Sequence, residues 1–511
     1  MGTEVGLVSA KGSRDSVPPD ILRRQLTAGV AAFALTARTR STETNCAGRL
    51  PGWANNLRVD LERMARELTA RLQPWKGPRL TLEPEDVGHV ADRTQVATRA
   101  IQATIDAVAQ RGGGTVRLSR GDYVSGTLDL RSNVRLEVRK GARLLASLDL
   151  EDFPQRVASR PTVMDSNMGM NQSLIFAQGC QNIGLCGDGL IDGRGARQNF
   201  PGAETSGATP GRPFLIRALD CQRVHVRGIH LKDAACWMQN YLNCEDLLIE
   251  DITVENQANF NNDGVDIDGC RRVIVRNCFI NSEDDGLCFK GTSQRPMEEV
   301  LVENCRLYST CNALKFGTDS QGDFRRVLVR NVEVGGPSAS MRSFKRRRAI
   351  SGISWEVVDG GTVEDIVATG IRIVRAESPL FLRLGDRGRV RPEDKRPPPG
   401  NLRRIVFDGI TGHDNGARGS YFIGIADKSI ENVAIQDLKL EVSAHDTVPD
   451  ENAIPEMRSD YPDAQMIRDV TPAYGLWTRH LNGLTLVRVT FTPDRADPRP
   501  AIKLTRSTYA C

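Results

Sequence analysis

A short pattern recurs along this chain and restricts its fold more than any other feature. It reads QRVHVRGIHL at 222, EDLLIEDITV at 245, RRVIVRNCFI at 271, EEVLVENCRL at 298 and RRVLVRNVEV at 325. Later copies are EDIVATGIRI at 364, RRIVFDGITG at 403, ENVAIQDLKL at 431 and NGLTLVRVTF at 482. Each copy alternates apolar and polar residues, breaks at Gly, Asn or Asp, and alternates again, which predicts two short strands joined by a bend. The copies at 271, 298 and 325 are 27 residues apart, and Asn277, Asn304 and Asn331 fall on one phase. A helical solenoid needs a 3.6-residue apolar period, which is not visible. Coils of about 22–27 residues built from short strands predict a parallel β-helix, with like residues stacked in ladders.

A solenoid must cover the core at its ends. RTQVATRAIQATIDAVAQRGGG, from Arg93 to Gly114, has apolar residues at helical spacing and predicts a helical N-terminal cap that stops at Gly112. NNLRVDLERMARELTARLQ (55–73) predicts a second helix, packed on the same end. The longer gaps between copies predict loops on one side of the solenoid, RGRVRPEDKRPPPG among them. The N-terminal stretch has Arg23-Arg24, an apolar run from Leu26 to Ala37, and a small-residue cleavage signal at Ala32-Phe33-Ala34. It reads as a twin-arginine export signal, the alternative being a short amphipathic helix of a cytosolic protein. The expected organisation is an export signal at 1–37, a helical segment at 46–84 and one β-helix domain at 85–511.

Composition removes several functions. A net charge of +4 on 511 residues, without a basic stripe, argues against nucleic acid as partner. No apolar run reaches 18 residues, so no membrane-spanning helix is expected. The twelve cysteines scatter through strand-like segments without zinc-ligand spacing.

Chemistry concentrates in NNDGVDIDGC and NSEDDGLCFKG. Three coils align there without gaps: ND-GVDIDG, DD-GLCFKG and CN-ALKFGT. Val265, Leu287 and Leu314 share one inward position, and Ile267, Phe289 and Phe316 the next. Outward positions hold Asp266, Cys288 and Lys315, then Asp268, Lys290 and Gly317. Stacking brings Asp263, Asp285 and Asn312 into one column with Asp284 beside them. Like charges so close raise at least one pKa. Such a column suits an acid–base pair; calcium binding is the other use of clustered carboxylates.

NNDG followed by EDDG resembles the paired aspartate motifs of glycoside hydrolase family 28, the polygalacturonase family of pectin-degrading right-handed β-helices. AIQATIDAVAQRGGGTVRLSRGDYVSGTLDLRSNVRLEV, SLIFAQGCQNIGLCGDGLIDGRG and SPLFLRLGDRG extend the likeness over about residues 90–505. The resemblance implies metal-free, cofactor-free hydrolysis with inversion. Asp284 would be the general acid, and Asp263 and Asp285 would hold and deprotonate the attacking water. Two departures stand out. Asn312, in CNALKFG, replaces the family's histidine. GISWE puts Ser354 and Glu356 where cations that grip a uronic carboxylate are expected. Asn262, Asn312, Lys290, Lys315 and Arg383 are therefore the candidate substrate contacts.

Other residues have plainer readings. Lys315 has the alternative of a salt bridge to Asp266 or Asp268. Trp355 is placed in the core, Glu283 in a solvated turn, and KRRR (345–348) in a charged loop, while Trp237 and Tyr241 are candidates for stacking on a sugar. The resulting expectation is an exported, monomeric hydrolase of pectin-like polysaccharide, periplasmic or extracellular. Rhamnogalacturonan or another plant glycan is the alternative substrate. A calcium-assisted lyase and a non-catalytic glycan-binding solenoid are the alternative functions.

Overall fold

Every copy of the repeat forms a strand that pairs in parallel with the copies before and after it. The pairs Arg271↔Glu298 and Glu298↔Arg325 show that the 27-residue spacing is one coil. The computed structural model describes residues 48–88, 96–163, 171–202, 211–467 and 469–510. All fall in one compact unit, Thr39–Cys511. The expected export signal lies outside the described residues. The unit is a right-handed parallel β-helix: one sheet of 21 strands and one of 12, wound coil upon coil. In the smaller sheet the strands follow one another strictly in chain order, one per coil.

The bends have a local cause. Asp251, Asn277, Asn304 and Asn331 all adopt left-handed backbone, with φ of 57°, 56°, 56° and 52°. Asn and Asp tolerate that region better than other L-residues with a β-carbon. Their side chains also bond along the stack. Asn331 donates to Asn304 (2.6 Å), Asn304 to Asn277 (3.4 Å) and Asn277 to Asp251 (3.0 Å).

The inward ladders hold the coils together. Val265, Leu287, Leu314, Ile353 and Leu380 pair in register, as do Ile267, Phe289, Phe316, Trp355 and Leu382. Phe289 packs on Phe316 at 5.1 Å, and Phe316 on Trp355 at 5.2 Å. Trp355 is fully buried, as expected. Helix α2 (Thr98–Gln110) closes the N-terminal end with Ile101, Ile105 and Val108. It stops where Gly112 turns to φ 89°. At Gly113 a β-carbon would lie 2.4 Å from the Asn133 carbonyl, so only glycine fits there.

Helix α1 (Gly52–Arg71) corrects one expectation. It does not stack on the capped end; it lies along the outer face of the larger sheet. Leu61, Met64, Ala65 and Leu68 form a stripe at helical spacing. They pack on Leu248, Ile274, Leu301, Leu328, Val367, Val406 and Ala434, the outward residue of seven successive coils. That outward position is apolar in each of the seven, which breaks strict alternation and is legible in the repeat. Arg58–Asp408 (2.9 Å), Arg330–Glu62 (2.7 Å) and Arg71–Asp246 (2.8 Å) fix the helix along the coil axis. Arg58 to Arg71 spans about 20 Å at 1.5 Å per residue. The five coil steps between the two aspartates span about 24 Å at 4.8 Å each.

Candidate active site

The site sits on the outer face of the smaller sheet, over strands β1 (Gln239–Leu242), β2 (Val265–Asp268), β3 (Leu287–Gly291), β4 (Asn312–Ser320), β5 (Ala349–Val357) and β6 (Ala376–Leu384). The residues before β2, β3 and β4 stack as expected. Gly264 N–H donates to the Asp285 carbonyl (2.9 Å) and Gly286 N–H to that of Asn312 (2.8 Å). A β-carbon on Gly264 would lie 2.5 Å from the Gly286 carbonyl, and one on Gly286 2.5 Å from that of Ala313. Glycine after each aspartate therefore lets the next coil approach.

Asp263, Asp284 and Asp285 come together, and their environments push them apart. Burial, then Asp285, raises the pKa of Asp284. Its Oδ1 accepts from the Asp285 N–H (2.9 Å). Burial pushes Asp285 up as well, but Lys315 and Lys290 outweigh it and hold Asp285 below its ordinary value. Lys315 Nζ is 3.2 Å from Asp285 Oδ2, and Asn312 Nδ2 donates to Oδ1 (2.8 Å). Asp263 is pushed well up, by burial first, then by Asp266 and Asp284. Of the three, only Asp284 is more than 9% exposed; Asp263 is at 2% and Asp285 at 3%.

Two buried lysines sit among these acids. Lys290 Nζ is 3.2 Å from Asp266 and 3.7 Å from Asp263, with its ammonium 4.5 Å over the Trp237 ring. Lys315 also reaches Glu356 at 3.9 Å. Its expected alternative partners, Asp266 and Asp268, are not the ones it takes. Asp266 lies two coils, about 9.6 Å, back along the column, and Asp268 accepts from Thr292 N–H (2.9 Å) and its hydroxyl. Lys290 was expected level with Gly317. Instead the register shifts after Phe289, and Gly291 pairs with Ser320.

Several other expectations change. Asn262 is fully buried and its amide is spent on the turn. Oδ1 accepts from Ala258 and Asn259 N–H, and Nδ2 donates to the Ala234 and Cys236 carbonyls, so its amide shapes the loop. Arg383 is 1% exposed and turns to the Glu456 and Met457 carbonyls (3.0 and 2.7 Å), which cover it. Glu283 is buried rather than solvated. It pairs with Lys345, accepts from Asn262 N–H (3.3 Å), and is pushed to about 7 by burial and Asp284. Lys345 thus ties the 336–348 loop to the acidic coil. Tyr241 is core, its hydroxyl on Gln239 Oε1 (2.8 Å), and Trp237 lies under Lys290 against Phe214.

The structure brings to the site three residues that sequence reading did not count among its members. Asp266 is buried beside Lys290 and pushed to about 7, chiefly by burial. Glu356 is also pushed to about 7 by burial, and accepts from Ser354 (2.6 Å) and Thr318 (3.0 Å). The Tyr461 hydroxyl meets Thr318 Oγ1 at 3.1 Å, while the side chain as a whole stays 59% exposed. Nothing local in the sequence links Tyr461 to a strand 143 residues earlier. Atoms of Asp284, Asp285 and Cys311 lie within 4.8 Å of one another. A thiol and two carboxylates offer too few hard oxygens for calcium, which takes 6–8.

Residues 133–377 match the family model for glycosyl hydrolases family 28. A probable polygalacturonase from Vitis vinifera is 28% identical over 214 residues, 40% of this chain and 43% of the relative. A polygalacturonase from Ralstonia nicotianae is 32% identical over 173 residues, 32% of this chain and 31% of the relative. The chain thus spans less than half the length of these curated relatives. An exopolygalacturonase structure from Thermotoga maritima superposes with a TM-score of 0.64 at 17% identity, over 84% of this chain and 97% of that one. The family 28 exopolygalacturonase of Yersinia enterocolitica gives 0.62 at 16% identity, over 84% and 78%. Both share the fold.

Proposed function

We propose, from the match of residues 133–377 to the family model for glycosyl hydrolases family 28, that the chain belongs to that family and hydrolyses glycosidic bonds of pectin-like polysaccharide with inversion of configuration. The observation that carries this reading is the opposed tuning of two neighbouring carboxyls. Asp284 is raised and reaches solvent, while Asp285 is held low by Lys315 and Lys290. A catalyst at near-neutral pH needs one carboxyl that keeps its proton and one that has lost it.

In this mechanism Asp284 gives its proton to the glycosidic oxygen as the bond to the anomeric carbon breaks. Asp285 takes a proton from a water attacking the opposite face. Asp263, one coil back, holds that water. Asn312 and Lys315 keep Asp285 oriented and ionised. Inversion requires the acid and base to stand about 6.5–9.5 Å apart, with room for water between them. The protein is proposed to act as a monomer after export through the signal at 1–37. Among the described residues no helix is long and apolar enough to cross a membrane.

The test is NMR of freshly released product from pectic oligosaccharides. The anomer opposite to that of the cleaved bond is expected. A retained anomer refutes the two-carboxyl inverting assignment, and an unsaturated product absorbing in the ultraviolet points to a lyase instead.

A further inference from the structure

The charge balance around Asp285 says more about the sugar. A uronate carboxylate is recognised by a cation that nearby acids have not already neutralised. Five carboxyls line this column, Asp263, Asp266, Asp284, Asp285 and Glu356, against two ammonium groups, Lys290 and Lys315. Each lysine has two acidic partners: Lys290 has Asp266 (3.2 Å) and Asp263 (3.7 Å), and Lys315 has Asp285 (3.2 Å) and Glu356 (3.9 Å). Among the described residues, Arg387 pairs with Asp359 and Asp319 and Arg389 with Asp319, while Arg383, which no acid neutralises, is 1% exposed and covered by the Glu456 and Met457 carbonyls to which its Nη2 donates.

We propose that the sugar seated over Asp284 and Asp285 presents no free carboxylate to the protein, being a neutral or esterified residue, and that Glu356 is the side chain that selects for it. This deepens the hydrolase reading and rests on it for the identity of the site. Glu356 is completely buried and fixed from two sides, by Ser354 on Oε1 and Thr318 on Oε2. It stands where it takes up the charge of Lys315 that would otherwise meet a uronate. When Glu356 is protonated, Lys315 still keeps Asp285 at 3.2 Å. A column rich in acceptors matches the hydroxyl donors of an uncharged sugar. The side chain of Tyr461, 59% exposed with its hydroxyl on Thr318, adds an apolar ring face at the rim.

Calorimetry on the full-length Asp284→Asn protein tests this. The probes are galacturonate oligomers of one length, fully methyl-esterified or fully de-esterified, and an alternating rhamnose–galacturonate oligomer. At least one of the first and third is expected to bind ten-fold or more tighter than the de-esterified chain. Adding Glu356→Gln should cut that ratio at least five-fold by tightening the de-esterified chain. Tighter binding of the de-esterified chain, binding of none, or a ratio unmoved in a folded Glu356→Gln protein overturns the proposal. The unaltered enzyme on the same probes separates the two readings. Binding preference without released reducing ends sinks hydrolysis and leaves the sugar assignment. Higher kcat/KM on the de-esterified chain does the reverse.

Discussion

Lys315→Met isolates the interaction on which the acid–base assignment turns. Methionine keeps most of the length and volume of lysine and removes its charge. Lys315 Nζ lies 3.2 Å from Asp285 Oδ2, where burial alone would push the carboxyl up. At an effective dielectric near 20, unit charges at that distance attract by about 5 kcal/mol. Lys290 and the 2.8 Å bond from Asn312 remain and recover part of it. If about half is lost, the ionised form of Asp285 is disfavoured by ~2.5 kcal/mol, roughly 10²-fold in its ionisation constant. The sign follows from the native direction. Asp285 is held low, so it is ionised, and activity present, down to acid pH; activity is lost as pH falls through its pKa. Removing Lys315 raises that pKa and moves the acid limb of the kcat/KM profile to higher pH. Stability follows the same sign. The depressed carboxyl stabilises the native state above its unfolded pKa, and that contribution disappears in the variant. The assay is kcat/KM on a pectic oligosaccharide from pH 3 to 8, with circular dichroism and thermal melting to confirm folding. An acid limb that stays put or moves down in a folded variant refutes the assignment of Asp285 as the ionised base.

Other perturbations test the remaining links. Asp284→Asn should lower kcat by roughly 10²–10⁴ while leaving the melting temperature and substrate affinity near their native values, because it removes a transferable proton and little packing. Gly264→Ala should cost ~1–3 kcal/mol in urea unfolding, since its β-carbon would press within 2.5 Å of the Gly286 carbonyl. Unchanged stability there would mean the coils are spaced more loosely than this. Leu61→Ala, in the fully buried stripe of α1, should cost about 2–5 kcal/mol. It should also expose the helix to limited proteolysis before the β-helix is cut.

The strand ladders were legible because alternation, the 27-residue spacing and the asparagine phase are local facts that stacking repeats in every coil. The same register brought out Asp263, Asp284 and Asp285, since neighbours in a β-helix are one coil apart in sequence. Other features were less visible. Arg272, Glu299 and Arg326 adopt φ of 57°, 58° and 56°, and nothing in those residue types announces a left-handed backbone. The outward apolar strip under α1 was present in the repeat, but it is meaningful only when seven coils are laid side by side. Asn262 and Arg383 read as substrate contacts. Which polar groups face a ligand depends on what covers them, here a turn for one and residues 456–457 for the other.

Sequence alone determined the winding, the inward ladders and the meeting of three aspartates, because all follow from a period that each coil repeats. Tertiary structure decided the electrical character of that meeting. It chose Asp285 and Glu356 as the partners of Lys315, buried Asp266 beside Lys290, and brought Tyr461 to a strand 143 residues away. Those choices depend on side-chain reach and on loops folding back from distant coils. In a low-dielectric cleft, a few ångström decide which carboxyl keeps its proton.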